Sequence, residues 1–387
     1  MIAVIADDFT GAAELAGIGL RYGLAVRLYT KGVAAAHADL VVVSTDSRSM
    51  NSEAAVEVTR GILQRIQQLR PDFIYKKTDS VLRGHVLDEL HVQMKALDLP
   101  KALLLPANPS LGRTITAGKY YVHDQLVSET AFANDPEFAI TSASVKEMAY
   151  ASEEDQVFVL KHTDPLPSTG IIIGEAASSE DVARWALLAT RSYALAGAGD
   201  FFEAILQKRH TSDVEKTQFK LSTPHLYISG TTFRQSTDLI GRIAATSSCV
   251  HYLDRHVLIQ GEYKGWIEGV RKSIKEHRRA VIAIDPEELL PPELTAATLR
   301  QSMAEAVKAL IASTTIHEIM IEGGSTAAAI LEAQDAWGFI PVNELARGVL
   351  RMKMIGRDMF ITVKPGSYRL PEQITELYLP THKQQPA

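Results

Sequence analysis

The amino-acid sequence predicts an α/β protein of two domains, each a mostly parallel sheet flanked by helices. Three observations lead there. Short strand-like runs alternate with amphipathic helical patterns, and this happens twice along the chain. In the first third of the chain those runs are mostly apolar, as strands covered on both faces require. The 387 residues also exceed what one hydrophobic core usually organises.

In the first alternation Ile2–Ala6 reads as a buried strand, and Gly11–Tyr22 as a helix with Ala12, Leu15, Ala16, Gly19 and Leu20 on one face. Ala25–Tyr29 and Leu40–Ser44 are strands. Ser52–Leu69 is a helix with a stripe of Ala55, Val58, Ile62, Ile66 and Leu69. Phe73–Lys76 is a strand, His85–Leu97 a helix and Ala102–Leu105 a strand. From Asn108 to about Ser168 periodicity fades into a segment rich in Pro, Asp, Ser and Thr, the length of a functional loop or flap. Ile171–Ile173 and a helix over Asp181–Thr190 close the first domain.

Around His210–Thr223 the composition turns polar, which sets the domains at 1–220 and 221–387. The second alternation has strands at Leu226–Ile228, Val250–Leu253, Ala280–Ile284, Glu318–Ile321, Arg351–Ile355 and Met359–Val363. Its helices are Gln235–Ala245, Gly261–Glu276, a stripe of Leu299, Met303, Ala306, Val307 and Leu310, and Thr326–Gln334. Disorder is expected from Pro380 onward.

Composition narrows the function. The net charge is −6, with 46% hydrophobic and 22% charged residues and no basic block interleaved with aromatics, so no nucleic-acid partner is expected. The opening Met1–Ala6 run is too short for a signal peptide and lacks a basic flank. No window approaches the ~20 apolar residues of a membrane span. The expectation is a cytoplasmic protein with no membrane partner, and a homodimer is compatible with it. The single cysteine, Cys249, allows no internal disulfide and reads as a small apolar strand residue. The 12 histidines form no ligand-spaced cluster, so no zinc site is expected and metal ligands stay unassigned.

Ligands of open α/β sheets bind beyond the carboxyl ends of the strands, so the residues after each strand matter most. In the first half these are Asp7-Asp8-Phe9-Thr10-Gly11, Ser44-Thr45-Asp46-Ser47-Arg48, Lys76-Lys77-Thr78-Asp79-Ser80 with Arg83-Gly84, and Pro106-Ala107-Asn108-Pro109 with Gly112-Arg113. Carboxylates accept hydrogen bonds from sugar hydroxyls and arginine pairs with a carboxylate, so a small polyhydroxylated acid suits this rim. Asp and Ser after a strand also serve as helix N-caps, but four such loops on one rim favour a ligand. In the second half the strand ends are Ser229-Gly230-Thr231-Thr232, Gly323-Gly324-Ser325-Thr326 and Lys364-Pro365-Gly366-Ser367. Glycine lets a backbone approach a phosphate, and a helix start offers N–H donors. No Walker A sequence is present, and Gly17-Ile18-Gly19 lies inside a helix, where it reads as close packing.

Ala6-Asp7-Asp8-Phe9-Thr10-Gly11-Ala12, Lys77-Thr78-Asp79-Ser80 with Leu82-Arg83-Gly84, Gly112-Arg113, Ser229-Gly230-Thr231 and Gly323-Gly324-Ser325-Thr326-Ala327 together resemble the four-carbon acid sugar kinase family, in the same order along nearly the whole chain. The departures are Thr231 for a second serine, Val81 for a common threonine, a last loop poorer in glycine, and a segment from Asn108 to Phe138 that looks like a subgroup's own substrate-side loop. The resemblance implies an N-terminal acid-sugar domain, a C-terminal ATP domain and Mg²⁺-dependent phosphorylation of a threonate-, erythronate- or oxo-tetronate-like acid. Asp7, Asp8, Lys77, Asp79, Arg83, Gly84 and Arg113 are then the substrate-side candidates, with Asp8 or Asp79 as the base and Arg83 on the acid's carboxylate. Ser229, Gly323, Gly324, Ser325, Thr326 and Gly366 are the ATP candidates. Rival readings are a sugar-acid aldolase or dehydratase and a non-catalytic sugar-acid sensor.

Overall fold

The computed structural model describes residues 1–34, 37–135, 138–211, 219–231, 233–254, 256–285, 295–366 and 368–379. Met1–Glu215 forms one compact unit and Lys216–Ala387 another. Part of the polar stretch at the expected boundary (212–218), Thr232, Ser367 and the tail from Pro380 onward lie outside the described residues.

The first unit is built on β1 (Ile2–Ala6), α1 (Phe9–Arg21), β2 (Val26–Tyr29), β3 (Leu40–Ser44), α2 (Ser52–Gln68), β4 (Ile74–Lys77), α3 (Val86–Leu97) and β5 (Lys101–Leu105). The segment expected to be a loop contains β6 (Arg113–Thr116), β7 (Lys119–Val122) and β8 (Gln125–Leu126), then the short α4 (Val145–Met148) and β9 (Val157–Leu160). β10 (Gly170–Gly174), α5 (Ser179–Leu188), β11 (Ala194–Gly197) and α6 (Gly199–Gln207) follow. β2, β3, β1, β4, β11, β5, β10 and β9 lie side by side in that order and all pair in parallel. β6, β7 and β8 form a separate antiparallel sheet. At 4, 4 and 2 residues these strands are too short for periodicity to reveal them. The first unit also continues beyond its expected last helix: Ala194–Gly197 and the helix after it escaped notice because that strand has no β-branched or aromatic residue.

The apolar runs are buried as their composition demands: every residue of β1 and β3 is inaccessible or nearly so. Ala3, Ile5, Val41, Val43, Ile62, Leu63, Ile66 and Ile74 form one cluster beneath α2. On α1, Gly19 lets the helix lie against Leu40, as the close-packing reading of the Gly17-Ile18-Gly19 run requires.

The second unit contains β12 (His225–Ser229), α7 (Arg234–Thr246), β13 (Val250–Leu253), α8 (Tyr263–His277), β14 (Arg279–Ile284), α9 (Ala296–Ser313), β15 (Glu318–Glu322) and α10 (Gly324–Ala333). These are followed by β16 (Gly338–Ala346), β17 (Val349–Met354), β18 (Phe360–Lys364) and α11 (Glu372–Tyr378). β13, β14, β12, β15 and β18 are parallel neighbours in that order, and β17 and β16 continue the sheet antiparallel. β16 was not anticipated because Pro341 interrupts it, and the ladder shifts register between Pro341 and Asn343. Cys249 is free and buried beside Tyr227 and Val281. No helix among the described residues is long and apolar enough to cross a membrane.

At the amino end of β12, burial holds His225 down at about 4, with Glu318 only partly offsetting it. The unfolded chain takes up a proton near the ordinary histidine value of about 6.5, where the folded chain does not. His225 therefore contributes stability that is complete above that value and is lost as pH falls toward 4, up to about 3 kcal/mol. Urea unfolding at pH 7.5 and pH 4.5 checks this: His225→Gln should show a smaller pH difference than the parent. Equal differences would remove the assignment.

Candidate functional site

The chain order places a topological switch point in each sheet, and the candidate residues fall on both. In the first unit the chain runs from β1 out to β2 and back to β3 on one side, then crosses to β4 on the other. The crevice beyond the carboxyl ends of β1 and β4 is where such folds bind ligands. Asp7 and Asp8 follow β1 directly, Lys77 ends β4, and Thr78 through Gly84 follow it.

Arg48, from the loop after β3, joins these carboxylates. Its Nε and Nη2 donate to Asp7 at 3.0 and 3.1 Å, and Nη2 lies 3.0 Å from Asp8 Oδ1 and 3.8 Å from Asp79 Oδ1. Asp8 is the N-cap of α1: its Oδ1 accepts the Gly11 N–H at 2.8 Å and its Oδ2 accepts the Thr10 hydroxyl at 2.5 Å. Asp79 is clasped by Arg83 through Nε at 2.7 Å and Nη2 at 3.0 Å. Gly84 turns with φ of +88° and packs its backbone against the Arg48 side chain. Lys77 lies 3.6 Å from Glu14 Oε2 on α1 and donates to the Thr78 carbonyl.

The three aspartates differ in character. Burial raises the Asp7 carboxyl above its usual value despite Arg48. Burial also opposes ionisation of Asp8, but Arg48, Lys77 and its two hydrogen bonds outweigh it and hold the carboxyl low. At Asp79 burial is overcome further by Arg83 and Arg48, and the carboxyl lies far below the ordinary range. Side-chain exposure separates them too: 17% for Asp8, 8% for Asp79 and 3% for Asp7. Asp8 is the most exposed of the three carboxylates.

The flap segment reaches the same edge. Arg113 on β6 donates to the Ser80 hydroxyl. The guanidinium groups of Arg113 and Arg83 each sit 5.5 Å from the centre of the Phe132 ring, and Arg83 Nη1 donates to Asp135 at 2.8 Å. Asp200, at the start of α6, accepts the Ser110 N–H at 2.9 Å and donates its own N–H to Asn108 at 3.1 Å, tying the loops after β5 and β11 together. The structure thus gathers Asp7, Asp8, Lys77, Asp79, Arg83, Gly84 and Arg113 around Arg48, Phe132 and Asp135. Arg48 stood in a quoted strand-end loop without being singled out. Phe132 and Asp135 lie in the segment read as a functional loop or flap, without being singled out.

In the second unit the chain goes from β12 to β13 and back to β14 on one side, then to β15 on the other. Ser229-Gly230 and Gly323–Thr326 lie at that switch point, and β18 with Gly366 is the next strand over. A β-carbon on Gly230 would fall 2.0 Å from Thr326 Oγ1, and one on Gly366 would fall 2.7 Å from Thr231 Oγ1, so the three loops touch. Gly323 has φ of +103°, a conformation that side chains disfavour, and no side chain caps α10 behind it. Gly324 opens that helix and Ser325 is exposed.

Beneath the loops Glu322 is buried, 2.6 Å from the Lys364 amine, and accepts hydrogen bonds from the hydroxyls of Tyr227, Ser229 and Ser236. Lys364 in turn donates to the carbonyls of Pro365 and Gly366, which shapes the last loop. Ser229 therefore turns its hydroxyl inward, toward Glu322. The small residues and the N–H groups of the first turn of α10 fit a phosphate chain. Among the described residues no group of three or more His, Cys, Asp or Glu side chains is placed to hold a metal ion.

Residues 2–205 match the family model of the sugar-binding N-terminal domain. A D-threonate kinase of Salmonella typhimurium is 34% identical over 160 residues, 40% of this chain and 37% of that protein. A 3-oxo-tetronate kinase of Pseudomonas savastanoi pv. phaseolicola is 30% identical over 172 residues, 42% of this chain and 40% of the relative. Each of these matches thus spans well under two thirds of the relative. A 3-oxo-tetronate kinase of Brucella melitensis aligns over 95% of this chain and 92% of its own length at 24% identity. Among solved structures, a Haemophilus influenzae protein superposes with a TM-score of 0.74 at 18% identity, over 97% of this chain and 99% of the other, which is a likeness of fold.

Proposed function

The chain belongs to the four-carbon acid sugar kinase family, and from that premise we propose that it transfers the terminal phosphoryl group of ATP to a hydroxyl of a small sugar acid. The observation that carries the proposal is the contrast between the two switch points. One is lined by carboxylates and guanidinium groups and the other by glycine loops and a helix start. The first chemistry recognises hydroxyls and a carboxylate, the second a phosphate chain.

In this reading the acid is held by Arg48, Arg83 and Arg113, and its reacting hydroxyl faces Asp8. Phosphoryl transfer is mostly positioning and charge neutralisation. As the new O–P bond forms and the bond from that phosphorus to the bridging oxygen breaks to release ADP, the hydroxyl proton passes to the Asp8 carboxylate, which Arg48 and Lys77 keep ionised. Asp79 serves to fix Arg83 and Arg48, because a carboxyl held so far down is a poor proton acceptor. ATP would lie with its phosphates against Gly230, Gly323 to Thr326 and Gly366. Mg²⁺ would enter with those phosphates, as is usual for a cation bound through few protein carboxylates, and would neutralise charge during transfer.

An ATP-consumption screen over four- and five-carbon sugar acids tests the proposal. Release of ADP that depends on one of the acids is the expected result. Carbon–carbon cleavage or loss of water without ATP turnover would establish the aldolase or dehydratase reading. Binding without turnover would establish a sensor.

A further inference from the structure

Arg83 cannot receive a ligand's carboxylate as the site stands, because its guanidinium is already answered on both sides. One fork, Nε with Nη2, is closed on Asp79, whose Oδ2 also accepts the Arg83 backbone N–H at 3.2 Å. That pair lies within a single loop and holds the arginine in place. The outward nitrogen, Nη1, is taken by Asp135 Oδ2 at 2.8 Å.

Asp135 comes from the flap, 52 residues further along the chain. Its other oxygen, Oδ1, accepts the Phe138 N–H at 2.9 Å. Three residues earlier the Phe132 ring faces the guanidinium groups of both Arg83 and Arg113. The same short segment thus covers two of the cations expected to meet the acid, and it places on one of them the functional group the acid itself would bring. Both partners of the Arg83–Asp135 pair have side chains 21% exposed, so water and solutes reach it. The inner fork on Asp79, whose side chain is 8% exposed, is much less accessible.

We propose that Asp135 is a specificity-determining residue, an internal carboxylate that occupies the acid's seat on Arg83 and yields it only to a ligand with a carboxylate of its own. The exchange is neutral in charge: one carboxylate leaves Nη1 as another arrives, and Arg83 is never left unpaired. A polyol of the same length without the acid group has nothing to offer Arg83 in return, so the flap contact persists against it. The latch rests on the sugar-acid reading for its natural ligand, but its chemistry is that of any small carboxylate.

Calorimetric titrations of the parent, Asp135→Asn and Asp135→Ala with D-threonate, with malonate and with threitol test the proposal. Removing the internal competitor should tighten binding of both carboxylates by about 3–10-fold, the 0.6–1.4 kcal/mol of one partly exposed ion pair. Threitol binding should not change. The alanine variant excludes a gain from a new amide–ligand hydrogen bond. Unchanged or weaker binding of malonate and threonate in both variants would overturn the latch and make Asp135 a plain support for Arg83. If the variants gain affinity for malonate while no protein binds threonate, the latch stands and the four-carbon sugar acid reading falls.

Discussion

Asp8→Asn is expected to lower kcat by roughly 10²–10⁴, the usual weight of a general base, with little change in the KM of either substrate. The structure sharpens this expectation because Asp8 has two roles that the substitution separates. It caps α1 through the Gly11 N–H, and asparagine caps about as well as aspartate, so the helix and the melting temperature should survive. What is lost is the proton acceptor. Asp79→Asn should behave differently. It opens the two-point clasp on Arg83 and leaves guanidinium groups facing an amide. Breaking a fully buried pair costs roughly 3–5 kcal/mol, and the partial exposure of Arg83 brings that to about 2–3. Its signature is a fall in melting temperature and a rise in the acid's KM ahead of any fall in kcat. Because Asp8 is held below the ordinary carboxylate value, it stays ionised as pH drops, and the acid limb of kcat/KM should lie below the usual carboxylate range. If Asp8→Asn keeps near-parental kcat while Asp79→Asn loses it with its stability intact, the two roles are exchanged.

The parts of the fold that were legible in the sequence are those in which one segment declares itself. Ile2–Ala6 and Leu40–Ser44 are continuous apolar runs because both faces are covered, and Asp7 and Asp8 at the end of β1, with Lys77 and Asp79 at the end of β4, were found simply by standing where strands stop. What stayed hidden depends on pairing between distant segments. Arg48 becomes the hub of the aspartates only because β3 lies beside β1, with Ser44 in register with Ala6. Glu322 and Lys364 meet because β15 and β18 pair them directly across the ladder, and neither residue alone hints at a buried ion pair. Asp135 and Phe132 sit in a segment of short strands and single turns, where no period exists to be read. Asp200 follows a strand of Ala, Leu, Ala and Gly that no propensity scale favours, so the loop it anchors was invisible as part of the rim.

Gly324→Asp should weaken ATP binding by about a hundredfold or more while leaving the protein as stable as the parent or slightly more so. The two effects point in opposite directions for one physical reason. Gly324 is the first residue of α10, whose opening turn contains no acidic side chain and whose N-cap, Gly323, makes no side-chain hydrogen bond. An aspartate there faces the positive end of the helix and its unpaired N–H groups, which favours the helix by about 0.3–1 kcal/mol. A phosphate chain would use the same N–H groups and the same dipole, so the new carboxylate competes with it and repels it. Like charges so juxtaposed cost several kcal/mol, and each 1.4 kcal/mol is a factor of ten. Calorimetric titration with ATP, set beside thermal melts without nucleotide, reads both quantities on one protein. Parental ATP affinity in a folded variant would place the nucleotide elsewhere than the β12–β15 crevice. Lost affinity together with a lowered melting temperature would reduce the result to damage at α10. Retained stability with lost affinity is the outcome that a phosphate cradle requires.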